Sequence, residues 1–169
     1  MPRVSVPADQ DPMMYVWGRL APALATPAAA FSGAVYSSSL LSLREFEAAR
    51  ISIASANDCN VCLNWRSARD VPGKADRPDE VPESFYDAVL AGDTATLTAR
   101  ERLAARFATL FAIDHLAIDE DMWTELHREF SDDELVDLAL CVGAWIAFGR
   151  LNRVFDIDGA CRVGVPLPG

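Results

Sequence analysis

Two cysteines three positions apart, Cys59 and Cys62, stand in the run Asn57-Asp58-Cys59-Asn60-Val61-Cys62. On a helix, residues i and i+3 share a face, so the two sulfurs can bond with little backbone movement. Asn57 and Asp58 offer caps for a helix that begins at Cys59 and runs to about Arg69. Free N–H groups and the dipole of a first turn favour a thiolate there. A thiol of low pKa beside a resolving thiol is the arrangement that cycles between dithiol and disulfide. The plainer reading is two small core residues on a packed helix. Zinc is not expected, because no second C-x-x-C and no histidine lie nearby in the chain. Glu47 falls between Leu43 and Ile51 at i±4, on a side that should be partly buried. Burial raises a carboxyl pKa and suits it to proton transfer near neutrality. Its plainer role is an ion pair with Arg50 one turn on. Trp65 and Arg66 follow the cysteines as candidate binding residues: Trp65 to line a pocket, Arg66 to bring positive charge to a thiolate or to pair with Glu47.

The elements that must carry these residues read as helices throughout. Asp11-Pro12 is an N-cap with proline at the first helical position, opening a short helix to Leu20. A second short helix is expected over Pro27 to Ser37. Ser42-x-x-Glu45, Thr98-x-x-Glu101 and Ser131-x-x-Glu134 are three capping boxes. The first opens the helix bearing Glu47, the second a helix to about Asp114 with Leu103, Phe107, Leu110 and Phe111 buried. The third opens a long helix, Glu134 to Phe155, apolar on every side in its middle and so buried in the domain centre or in a subunit contact. Gly143 and Gly149 would let a neighbouring helix come close. Asp70 to Pro82 reads as a loop, Glu83 to Ala91 as a short helix closed by Gly92, and Asp119 as the start of a helix with Met122, Trp123, Leu126 and Phe130 as its apolar stripe. Cys141, mid-helix, reads as an inert buried thiol, and the tail from Asp156, with Cys161, as irregular. His115 and His127 fall outside any motif, and no internal repeat stands out.

The 169 residues fit one domain, with residues 1–11 as a flexible polar arm and 12–169 as an all-α domain closed by the long buried C-terminal helix. Hydrophobic residues make up 51%, which excludes global disorder. Fifteen basic against 25 acidic residues give a net charge of −10, which repels phosphate backbones and anionic membranes, so neither nucleic acid nor membrane is an expected partner. Lys74 is the only lysine. The longest uncharged apolar run, Leu138 to Gly149, is too short to span a bilayer, and no targeting segment stands out; a soluble cytoplasmic protein is expected.

The stretch LSLREFEAARISIASANDCNVCLNWRSAR resembles the core motif of the carboxymuconolactone decarboxylase and AhpD-like alkylhydroperoxidase superfamily: a helix bearing a glutamate, C-x-x-C about twelve residues later, then histidine four after the second cysteine. Glu47 lies twelve before Cys59. The stretch from Thr98 to Asp158, with Asn152-Arg153 near the end of the last helix, is similar to the second half of these proteins, and the likeness covers about residues 20–158.

That resemblance implies an AhpD-like helical bundle assembling as dimers, trimers or hexamers; no motif in the chain implies a metal or organic cofactor. It implies Cys62 as the thiolate that attacks a hydroperoxide, Cys59 as the thiol that donates a proton and closes the disulfide, and Glu47 in a proton relay. The chain departs from the pattern at two positions: Arg66 stands where the relay histidine belongs, and Val61 stands between the cysteines. Arginine cannot shuttle protons, and a histidine in that role contributes typically about 10²–10⁴-fold. The expected function is a thiol oxidoreductase that takes a small hydroperoxide, or exchanges with a thiol or disulfide reductant. The alternatives are a catalytically silent member that binds a small ligand or serves assembly, and a decarboxylase or lactone-processing enzyme using Glu47 as base.

Overall fold

The architecture follows from how completely one helix is surrounded. The computed structural model describes residues 1–71, 81–93 and 95–158; the Pro72–Glu80 part of the expected loop and the tail with Cys161 lie outside them. Those residues form α1 (Pro12–Arg19), α2 (Pro22–Ser38), α3 (Leu43–Ala56), α4 (Asn60–Asn64), α5 (Ser67–Asp70), α6 (Glu83–Ala91), α7 (Ala99–Ile113), a 3₁₀ turn (His115–Ala117), α8 (Glu120–Glu129) and α9 (Asp132–Val154). No strand occurs among them. The chain is all-α and a single domain.

Helix α3 is central because it carries apolar residues on two sides. Phe46, Ala49 and Ile53 pack with α7, α8 and α9 through Phe107, Met122, Leu126, Leu138 and Val142. Ala48, Ile51 and Ala54 face the other way, onto Phe85, Tyr86 and Val89 of α6. Every residue from Glu45 to Ile51 is therefore buried, the charged ones included.

The three capping boxes all form, with Ser42, Thr98 and Ser131 accepting from the N–H groups of Glu45, Glu101 and Glu134. Two of them belong to a repeat that the linear sequence did not reveal. Ser42-Leu-Arg-Glu-Phe-Glu-Ala-Ala-Arg50 and Thr98-Ala-Arg-Glu-Arg-Leu-Ala-Ala-Arg106, 56 residues apart, share Arg-Glu-x-x-Ala-Ala-Arg. They open α3 and α7, and their charges cross. Arg44 donates to Glu101 at 2.6 Å and Arg100 to Glu45 at 2.5 Å. Each arginine also lies over an aromatic ring, Arg44 over Phe85 at 4.3 Å and Arg100 over Phe130 at 4.1 Å. The match is confined to five identical positions, and a repeat that short becomes visible once the two helices lie side by side.

Helix α2 begins at Pro22, five residues before the expected start at Pro27, which sits inside it. In α9, Leu135, Leu138, Cys141, Val142, Trp145 and Asn152 are buried, while Val136, Leu140, Leu151 and Val154 are exposed on the single chain. Phe111, expected in the core, lies at the surface, 36% exposed, although it packs against Phe107. Gly149 faces the end of α3, where a Cβ would meet the Asn57 amide at 2.5 Å; Gly143 has open space.

Candidate functional site

Local structure at the cysteines differs from the expected helix over 59–69. Asp58 is in the left-handed region at φ 49°, and its carboxylate pairs with Arg153 at 2.9 Å, so it does not cap. Asn57 is likewise engaged elsewhere, donating to the Trp145 carbonyl at 3.0 Å and accepting from Arg150 at 3.0 Å. Cys59 itself is the N-cap of α4, and its Sγ accepts from the Cys62 N–H at 3.3 Å. The two cysteines are joined as a disulfide with Cα atoms 5.3 Å apart. Cys59 is fully buried; Cys62 is half-buried and lines a cavity.

The helix then breaks at Trp65 and Arg66, both in extended backbone. The cause is Arg50. Its guanidinium donates to the Cys62 carbonyl at 2.7 Å and to the Trp65 carbonyl at 2.8 Å. In a continuing helix the Cys62 carbonyl would accept from the Arg66 N–H; here that N–H turns to the Asp70 carboxylate at 2.8 Å. One side chain from α3 thus holds the far end of the cysteine turn.

Arg50 is 2% exposed and is itself held by Glu47, which takes two of its hydrogen bonds on Oε2 at 2.7 and 2.9 Å. The other oxygen of Glu47 accepts from the Ser67 N–H at 3.1 Å. Burial acts to lower the Arg50 pKa, and the charge and hydrogen bonds of Glu47 outweigh it, so the pKa is raised and the guanidinium stays charged. Burial, and then the charge of Glu47, push the nearby Tyr86 phenol well above its ordinary range. Glu47 is therefore seated as the partner of a buried arginine, the plainer of the two roles its spacing offered. Arg50, read from the sequence only as that partner, is the residue that ties Glu47 to the cysteine turn.

Arg66 does not reach Glu47. It pairs with Glu83 of α6 at 2.9 Å, lies over the Tyr86 ring at 4.1 Å and donates to the Leu63 carbonyl. Trp65 does line the cavity beside Cys62 and stacks on Tyr36 with ring centroids 6.1 Å apart.

The cavity, about 510 Å³, is walled by α1, α2, α3, α4 and α9. Trp17 of α1 covers one side, tied by its indole N–H to Asn152 at 2.8 Å. Asn152 and Arg153 thus both serve this region: the first anchors the cover, the second holds Asp58 beside Cys59. Neither histidine lines the cavity: His115 is in the 3₁₀ turn and His127 faces Asp132 at the surface. Cys141 is a buried thiol that donates to the Asp137 carboxylate at 3.7 Å.

Among the described residues, no group of three or more histidine, cysteine or carboxylate side chains is placed to hold a metal ion, and no helix is long and apolar enough to cross a membrane. No model of a known protein family matches the chain, and no curated protein matches it in sequence.

Proposed function

We propose that the chain is an AhpD-like thiol oxidoreductase in which Cys62 is the reacting sulfur and Cys59 the resolving one. The observation that carries this reading is the asymmetry of the pair: Cys59 is fully buried, whereas Cys62 opens on a 510 Å³ cavity. A Cys62 thiolate attacks the outer oxygen of a hydroperoxide ROOH; the O–O bond breaks, the alkoxide RO⁻ leaves and takes a proton from solvent to become ROH, and Cys62 becomes a sulfenic acid. The Cys59 thiol then displaces water and forms the disulfide. A dithiol reductant restores both thiols and is itself oxidised to a disulfide. Arg50, bonded to the Cys62 carbonyl, fixes the position of this turn. A cytoplasmic setting provides such reductants. The exposed apolar residues Val136, Leu140, Leu151 and Val154 on α9 support assembly with further copies of the chain.

The test is peroxide consumption with dithiothreitol by the wild type, Cys62→Ser and Cys59→Ser. Loss of turnover in Cys62→Ser, with a trapped sulfenic acid in Cys59→Ser, is the expected result; equal rates in wild type and Cys62→Ser would remove the reading.

A second reading, ligand binding without turnover, is favoured by one feature. The charged groups nearest the cysteines are committed, Glu47 to Arg50 and Arg66 to Glu83, so neither stands ready to pass a proton. It predicts thiols that titrate near the ordinary cysteine value, about 8.5. A decarboxylase or lactone-processing role for Glu47 has less support, because Glu47 is fully buried behind Arg50 and does not line the cavity.

A further inference from the structure

The cavity beside Cys62 has a chemical character that narrows what can enter it. We propose that it takes an uncharged aromatic molecule, and that the Glu47–Arg50 pair sets its preference for uncharged over anionic ligands. This rests on the redox reading only in making that molecule the carrier of the hydroperoxide.

Size comes first. At about 510 Å³ the space falls within the range of small-molecule sites and is far larger than hydrogen peroxide needs. The wall is aromatic: Trp17, Tyr36, Trp65, Trp145 and Phe148 all line it. Trp17 meets Phe148 edge to face at 5.5 Å, and Tyr36 stacks on Trp65, so flat faces and ring edges are both presented. Such surfaces favour a flat ring, in offset-stacked or edge-to-face contact, over a flexible chain that must be ordered on binding.

Charge comes second. Among the described residues Arg50 is the one charged side chain of the lining, and an isolated buried guanidinium would attract a carboxylate strongly. It is not isolated. Glu47, fully buried on its far side, bonds it twice, and the pair is neutral. Burial also pushes the Tyr36 phenol above its ordinary pKa, so Tyr36 is uncharged at neutral pH. An incoming anion would lose its hydration and meet no net positive charge. An uncharged oxygen loses far less.

The experiment is isothermal titration of the full-length disulfide form at pH 7 with 2-naphthol and 2-naphthoate, which differ in charge and little in shape. The wild type is expected to bind naphthol at least about tenfold more tightly than naphthoate. Glu47→Gln leaves Arg50 uncompensated, and the preference should reverse. Ala28→Phe, on the α2 wall, should cost about tenfold or more in naphthol binding with helical circular dichroism unchanged, and it serves if Glu47→Gln does not fold. Equal binding of the two ligands by the wild type, no binding of naphthol, or naphthol binding indifferent to Ala28→Phe each overturns the proposal. No turnover is involved, so the two readings fail separately: peroxide consumption without naphthol binding removes the ligand class and leaves the thiol chemistry. Naphthol binding with naphthoate discrimination, in a protein whose Cys62→Ser variant loses nothing, does the opposite.

Discussion

Helices α3 and α7 start from the same signature and end in different roles. Both open with a capping box, both send an arginine across to the other's glutamate, and both carry Ala-Ala-Arg one turn later. Of the four positions at which these nine-residue stretches differ, one decides the contrast. The sixth residue of the signature is Glu47 in α3 and Leu103 in α7, both buried. With a carboxylate there, Arg50 folds inward, is 2% exposed, and grips the carbonyls of Cys62 and Trp65. With leucine there, Arg106 stays half-exposed and sits 3.7 Å from Glu125 at the surface. A buried charge in place of a buried methyl group turns a scaffold helix into one that organises a site, and the expected cost is sensitivity to losing either partner.

Arg50→Ala should therefore have the largest effect of any single substitution in either helix. It leaves Glu47 charged and unpaired in the core and frees the end of the cysteine turn; breaking a buried pair from one side costs about 3–5 kcal/mol. Urea unfolding measures it. Glu47→Leu, which gives α3 the residue of α7, together with Arg50→Met, should recover much of that loss while loosening the turn. If the double variant is as unstable as Arg50→Ala, the two side chains do not act as a pair and the contrast between the helices fails.

The crossed pairs come next. In α7, burial acts to raise the Glu101 pKa, but the hydrogen bond from Arg44, those from Thr98 and the charge of Arg44 outweigh it and hold it below the ordinary 4.5. A carboxyl depressed in the folded state adds stability above its unfolded pKa and loses it as pH falls through the folded value. Thermal stability should thus be flat above about pH 5 and decline below 4.5. Glu101→Gln should cost about 1–3 kcal/mol at pH 7 and make that acid decline shallower. An unchanged acid limb would mean that Glu101 contributes nothing through its charge.

How far all this was readable beforehand depends on the range of each interaction. Caps act over three residues, so Ser42, Thr98 and Ser131 announce their helices directly, and Gly92 ends α6 where expected, at φ 66°. The helix that breaks after Cys62 was not readable, because what breaks it is a guanidinium twelve residues upstream competing for its carbonyls. Cys59 and Cys62 announce themselves by spacing, and the disulfide joins them. Arg50 was visible only as a neighbour of Glu47, since its contacts to residues 62 and 65 require α3 and α4 to be packed. Arg66 was placed beside the cysteines by adjacency, yet the extended backbone turns its side chain toward Glu83. A buried-looking arginine one turn from a buried-looking glutamate was the available signal for a clamp, and it needed a third partner to have meaning.

The caps offer a finer comparison, because here the two helices are alike. Ser42→Ala and Thr98→Ala each remove a side-chain acceptor from an N-terminal N–H and should each cost about 1 kcal/mol. Each box closes through a glutamate that also receives the other helix's arginine, so the double variant should differ from the sum of the singles. Strict additivity in a double-mutant cycle would show that the boxes and the crossed pairs are independent.

The smallest effect is expected where the comparison began, at Arg106. Its position in the signature is that of Arg50, and sequence alone would rank the two as equals. But its guanidinium is half in water, its partner Glu125 is 46% exposed, and their separation of 3.7 Å is a loose contact, not a charge-assisted hydrogen bond. Exposed pairs of this kind contribute about 0–1 kcal/mol and less as salt rises. Arg106→Ala should therefore shift the urea midpoint by little more than the error of the measurement, and 0.5 M salt should remove what shift there is. A loss approaching that of Arg50→Ala would mean that the arginine of this signature is structural in itself, and that Glu47 is not what separates the two helices.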